Sequence, residues 1–274
     1  MILKGRVAAV VTALLVAVST PSNSNAEDGV KLSHKSYFTK LVPAASVESS
    51  AALQYNELTR QAYQKRALLE QNDPQVVRLR RIFNNLLPGT YKFNERARTW
   101  QWEVNVVRSP AINAFCMPGG KIAFFTGILD TINLTDDEVA LVMGHEMGHA
   151  LWEHARERTA KTNITNIGSR VVGGLLFGQA GEVIGAYGSQ LAALKFSRND
   201  ETEADLIGME LAARAGYDPR AGIKLWQKMS AASKGAPPQW LSTHPSGASR
   251  VKTFEDNLPD VLPLYEKARA SRAG

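Results

Sequence analysis

The chain has 274 residues, 44% of them hydrophobic, with a net charge of +6 and one cysteine. That length and apolar content suffice for one domain with a sizeable core, and the lone Cys116 excludes an intramolecular disulfide framework. No basic block with interleaved aromatics occurs, which excludes a nucleic-acid footprint and leaves a mildly basic surface.

Lys4 and Arg6 precede an apolar run from Val7 to Val18, and Ser24-Asn25-Ala26 follows. The pattern predicts a cleavable signal peptide over 1–26, since the run falls short of the ~20 residues of a membrane-spanning helix. No cysteine stands near the cleavage site to carry a lipid anchor, and the mature chain is expected to begin near Glu27.

Residues 27–45 read as a loose lead-in, 46–260 as one domain and 261–274 as a short tail. Between Val47 and Gln71, Tyr55, Leu58, Ala62 and Leu69 recur at helical spacing. Asp73-Pro74 then caps a second helix carrying Val76, Leu79, Phe83 and Leu86, ended by Pro88-Gly89. In TWQWEVNVV, Trp100, Trp102, Val104 and Val106 alternate with polar residues, as in a half-buried strand. Two strand-like runs flank Pro118-Gly119-Gly120, so a small antiparallel sheet is expected.

Thr135 with Glu138 forms a capping box opening a helix that should run to about Arg158. The glycine-rich apolar segment 164–194 reads as a helical lid or hairpin. Its glycine spacing leaves peripheral membrane contact open, but Arg170, Gln179 and Glu182 interrupt every long apolar run. Asp200 to Arg214 is predicted helical up to Gly216, another helix starts at Asp218-Pro219, and a last one follows Pro245. There is no internal repeat.

The stretch GHEMGHALWEH, Gly144 to His154, carries H-E-x-x-H inside the predicted helix. Residues four apart share a helix face, so His145 and His149 can present ring nitrogens to one ion. His154 lies five residues beyond His149, roughly 140° around the axis. Motifs with a third histidine on this segment break the helix at a glycine first, and Trp152 stands in that place. His154 is therefore expected at the surface or behind the ligands.

A catalytic zinc site commonly has three protein ligands, so a third must come from elsewhere. SRNDETEAD, residues 197–205, offers Asp200, Glu201, Glu203 and Asp205, although taken alone it reads as an acidic, solvated helix start. Glu201 and Asp205 share a face, with Glu203 about 200° from Glu201. If Glu201 binds the ion, Asp205 is placed to accept the outer N–H of a ligand histidine. Glu146 is the candidate general base, taking a proton from a water whose pKa the metal lowers towards ~7 and passing it to the leaving amine.

In the order NAFCMPGGKIAFFTGIL, GHEMGHALWEH, SRNDETEAD and STHPSGASRV, from Asn113 to Val251, the sequence resembles the gluzincin peptidases of the HtpX, CAAX prenyl protease and mitochondrial Oma type. The resemblance implies an α+β fold, a mainly helical zincin-like metalloprotease domain with a small sheet beside the motif helix. It implies one Zn2+ per chain, with Glu201 as third ligand. It also implies that Asn113, Ala114 and Phe115 form an edge strand receiving extended substrate by β-augmentation. His244 and Arg250 match the pair that stabilises the developing oxyanion in that family.

With the export signal and no convincing spanning helix or helical-repeat domain, the chain resembles the soluble periplasmic branch, which acts on unfolded or misassembled envelope proteins. A different class of function, a chaperone-like protein that holds outer-membrane or secreted clients while keeping its zinc, is the second expectation. A regulatory one follows as well, with His244 occupying the water position in the resting enzyme. Cys116 reads as a small buried hydrophobe.

Overall fold

The computed structural model describes residues 28–165, 196–232, 239–244 and 248–273. The expected signal peptide and residues 166–194 of the expected lid lie outside the described residues. Helix α1, Ala44–Gln64, buries Val47, Ala51, Tyr55, Leu58 and Ala62 along one face. It stops earlier than the periodicity predicts, because Arg66 takes φ 56° and turns the chain back. Leu69 is therefore not helical, and its N–H donates to the Val106 carbonyl at 2.9 Å. Helix α2, Pro74–Leu86, starts as expected, with the Asp73 carboxylate accepting the Gln75 N–H at 2.9 Å. The short α3, Thr90–Phe93, follows.

The sheet comprises β1 Glu103–Val107, β2 Ala114–Met117 and β3 Lys121–Phe125, in the order β1-β3-β2. β2 and β3 form the expected antiparallel hairpin, but β1 runs parallel to β3, so the sheet is mixed. The cause is the central strand. Every residue of β3 is buried, and residues 108–113 carry the chain across its end to its other edge. That crossing is fixed by Gly127 N–H to Ser109 O at 2.8 Å and Phe125 N–H to Asn113 O at 3.1 Å. Trp100 and Trp102 precede the strand and pack on each other, ring centroids 5.2 Å apart. The Trp102 ring also covers Gly120, where a Cβ would come within 2.5 Å of it. β2 is an edge strand lying beside the motif helix.

After the short α4, Thr126–Asp130, helix α5 spans Asp136–Leu151 behind the Thr135/Glu138 capping box. It is buried from Glu138 to Leu151, as befits a helix packed on all sides. It ends seven residues before the expected Arg158. Glu153 adopts φ 64°, a left-handed conformation usually given to glycine, and α6, His154–Thr165, starts in a new direction.

Helix α7, Arg198–Arg214, is the main partner of α5, and the two helices touch backbone to backbone. A Cβ on Gly144 would lie 3.0 Å from the Gly208 backbone, and one on Gly148 3.0 Å from the Ala204 backbone. Helices α8, Ala221–Ala232, and α9, Gln239–Thr243, lead to α10, Ala248–Ala273. The expected tail at 261–274 is helical through Ala273 and packs on α7, with Val261, Leu264 and Tyr265 buried.

One apolar cluster joins α2, one sheet face, α5, α7, α8 and α10, and a smaller one joins α1 to the other sheet face. The lead-in is not loose, since Val30 N–H donates to Glu210 Oε2 at 2.8 Å and Lys35 Nζ to Leu151 O at 2.8 Å. Among the described residues, no helix is long and apolar enough to cross a membrane.

Candidate active site

The glycine contact between α5 and α7 brings their functional faces within bonding range of one ion. His145 Nε2 and His149 Nε2 are 3.1 Å apart, and the Glu201 carboxylate lies 3.7 Å from the first and 3.6 Å from the second. An ion bound at ~2.0–2.1 Å to three tetrahedral corners separates them by about 3.3 Å, so the three groups fit a zinc ion. His244, just beyond α9, places Nδ1 3.2 Å from His145 Nε2 and 3.0 Å from Glu201 Oε1. Ligand atoms of all four residues fall within 4.8 Å of one another.

Glu146 faces the same space from the next position on α5. Its Oε1 accepts the indole N–H of Trp240 at 2.6 Å and lies 3.6 Å from His244 Nε2. Trp240 stands four residues before His244, their ring centroids 5.1 Å apart, and the His244 N–H donates to the Trp240 carbonyl at 2.8 Å. That spacing was the available signal for Trp240, which sequence reasoning missed.

Behind the ligands, Asp205 Oδ1 lies 3.1 Å from His145 Nδ1. Arg250 reaches in from α10 with Nη2 2.6 Å from Asp205 Oδ1, Nε on Asp205 Oδ2 and Nη1 on Glu201 Oε2. Its guanidinium stacks over Trp226 at 4.0 Å from the ring centroid. These contacts set Arg250 on the ligand side of the cluster. His154 is buried rather than at the surface, because the turn at Glu153 swings it back until its Nδ1 lies 2.9 Å from His149 Nδ1. Glu203 points away from the ion cluster and meets His154 instead, Oε2 to Nε2 3.1 Å. Phe196 stacks on the His149 ring at 3.8 Å.

Burial and neighbouring charges together shift the titrating groups. Burial pushes the pKa values of His145 and His149 well below the ordinary imidazole value, leaving the neutral rings a metal requires. It lifts Glu146 to about 7. Burial also drives Glu201 upward, yet His244, His145 and Arg250 outweigh it and hold that carboxyl below the usual range. At Asp205 burial prevails over Arg250, and the value is raised.

A narrow groove opens beside the cluster, bounded by β2 on one side and by Glu146, His149, Phe196 and His244 on the other. Asn113, Ala114 and Phe115 line it. The Asn113 carboxamide accepts the Ala114 N–H at 2.9 Å, and the Phe115 ring packs against Phe125, centroids 6.2 Å apart. Cys116 lines the groove too, its thiol pushed well above its ordinary pKa by burial.

Comparison with known proteins agrees with this geometry. The profile of peptidase family M48 matches residues 75–257, which include the sheet, the motif helix and every residue of the cluster. The chain belongs to peptidase family M48. Among its M48 relatives, the mitochondrial metalloendopeptidase OMA1 of Arabidopsis thaliana is 39% identical over 63% of this chain and 35% of its own length. The OMA1 of Saccharomyces cerevisiae is 31% identical over 80% of this chain and 66% of its own length. The metalloprotease LoiP of Escherichia coli is 29% identical over 54% of this chain and 59% of its own. The chain thus spans between about a third and two thirds of the length of these relatives. The mainly helical fold, the small mixed sheet and the histidine–glutamate cluster fit a zincin-like M48 domain.

Proposed function

We propose that this protein is a zinc-dependent endopeptidase, with His145, His149 and Glu201 as ligands and Glu146 as general base. The observation that carries the reading is the convergence of three ligand atoms at 3.1–3.7 Å with a buried carboxylate on the same face of α5. Zinc, when bound, would polarise the scissile carbonyl and lower the pKa of the attacking water. Glu146 takes the proton of that water and delivers it to the leaving amine, and the Trp240 indole fixes the carboxylate for both transfers.

The edge strand β2 and its groove support the binding of an extended chain, with Asn113, Ala114 and Phe115 providing the strand beside which it would lie. Arg250 is assigned to holding Glu201 and Asp205 in place, since Nε, Nη1 and Nη2 all engage these carboxylates. His244, nearest to Glu146 among the remaining cations, is the candidate for the developing oxyanion. Its Nδ1 also completes the fourth corner of the cluster, which supports a resting arrangement that His244 must leave before water and substrate enter.

The proposed substrates are unfolded or misassembled envelope proteins in the periplasm, a reading supported by the N-terminal export pattern and by LoiP as a bacterial relative. Degradation of unfolded casein by the mature chain tests the reaction. Loss of cleavage both in Glu146→Gln and in chelator is the expected result. Equal cleavage by wild type and Glu146→Gln would overturn the assignment, and client protection without cleavage would favour a holding role.

A further inference from the structure

The two histidine ligands are supported differently. His145 has a carboxylate directly behind it, with Asp205 Oδ1 3.1 Å from Nδ1. His149 has none. Behind its Nδ1 lies another imidazole, that of His154, at 2.9 Å, and only behind that comes a carboxylate, Glu203 Oε2, 3.1 Å from His154 Nε2. The far oxygen of Glu203 accepts the hydroxyl of Ser33, from the segment that crosses this face before α1.

We infer that His154 and Glu203 are positioning residues for His149, fixing the tautomer and orientation of that ligand through a relay of two imidazoles and a carboxylate whose outer end is held by Ser33. Two ring nitrogens 2.9 Å apart share a single proton. Ionised Glu203 can only accept, so His154 presents Nε2–H to it and is left with Nδ1 as an acceptor. His149 must then donate from Nδ1, which leaves the lone pair of Nε2 directed into the cluster. The proton order along the relay is set from the carboxylate end, and it yields the tautomer that a metal needs.

The local structure is shaped to make this contact. A continuous helix would carry His154 roughly 140° away from His149. The left-handed Glu153, costly for a residue with a Cβ, turns the chain so that His154 is buried against the ligand. Phe196 covers the His149 ring from another side at 3.8 Å, leaving the imidazole little freedom to rotate. The side chain of His154 is fully enclosed while that of Glu203 keeps 17% of its surface, so the relay runs from the buried ligand outward.

The inference rests on the proposed zinc site, and the test separates the two. Zinc affinity of the full-length protein is measured by competition with a chromophoric chelator, and the visible spectrum of the cobalt-loaded protein reports ligand geometry. Glu203→Gln and His154→Phe should each weaken zinc binding roughly 10- to 100-fold, as Asp205→Asn should on the other ligand. They should also shift the cobalt spectrum, while the metal-free Tm of Glu203→Gln stays within a few degrees of wild type. Ser33→Ala should produce a smaller loss that Ser33→Thr restores. Unchanged affinity and spectrum in Glu203→Gln, or a lowered metal-free Tm as its only effect, would overturn the relay. A wild type that holds no zinc would overturn the metal site and the relay together.

Discussion

Two interfaces flank the core of this protein and are built on opposite principles. Between α1 and the sheet, Tyr55, Leu58, Phe115, Met117 and Phe125 form an apolar cluster whose one buried hydroxyl, that of Tyr55, is satisfied by the Ile122 carbonyl at 2.5 Å. Between α5 and α7 small residues set the spacing. Gly144, Gly148, Ala204 and Gly208 let the backbones touch, and the space at the end of that contact holds three histidines, three carboxylates and an arginine, each no more than 4% exposed. Burying such charges costs several kcal/mol per ion before pairing offsets it. The α1 interface is arranged for stability, whereas the α5–α7 interface spends stability on a fixed constellation of donors.

The sharpest way to break this contrast is Glu146→Gln. It should reduce peptide hydrolysis by about 10²- to 10⁴-fold with no loss of thermal stability, because a buried acid becomes a neutral isostere. A large fall in Tm would mean that the acid is structural. Next is Arg250→Met, which leaves Glu201 and Asp205 buried without their cation. Chemical denaturation should show a loss of about 3–5 kcal/mol. Leu58→Ala, on the apolar side, should cost about 2–5 kcal/mol by the same measurement yet leave specific activity near wild type in the folded fraction. If it instead halves zinc affinity, the two interfaces are coupled and the contrast fails.

Gly208→Ala sharpens the comparison further. The new Cβ would lie 2.7 Å from the His145 backbone nitrogen, so the helices must part. A loss of about 1–3 kcal/mol accompanied by weaker zinc binding is expected. The smallest effect belongs to Glu153→Gly. Relief of the left-handed strain and loss of the Glu153–Arg156 pair at 2.8 Å should roughly cancel, leaving stability within about 1 kcal/mol and zinc binding intact.

What the sequence discloses about the site follows from which distances are local. His145 and His149 lie on one turn of one helix, and Glu201 and Asp205 on one turn of another, so helix geometry alone pairs them. Helix geometry leaves His154 open between the surface and a place behind the ligands, because the choice depends on one backbone dihedral at a residue, Glu153, whose type gives no warning of a left-handed turn. The same geometry turns Glu203 away from Glu201, but its partner His154 is not visible in the sequence, since it comes within reach only once α6 changes direction. The motif-bearing helices and the β2–β3 hairpin are legible from periodicity and the Gly119-Gly120 turn. The placement of β1 is not, because parallel pairing across an intervening strand has no local signature. The end of α10 was also hidden, as Pro259 and Pro263 look like breakers in a segment that tertiary packing keeps helical.

The segment before α1 has a consequence in time. Its anchors, Val30 to Glu210 and Ser33 to Glu203, join positions 180 and 170 residues apart. During synthesis this stretch leaves the ribosome well before α7, and these two anchors cannot form until α7 has followed it out. Closing so long a loop carries an entropic cost that the local turns of α5 do not meet. A nascent chain should therefore assemble His145 and His149 well before the outer end of the His149 support locks. In pulse-labelled hydrogen exchange during refolding, the Val30 amide should gain protection after the amides of α5, and simultaneous protection would exclude that order of assembly.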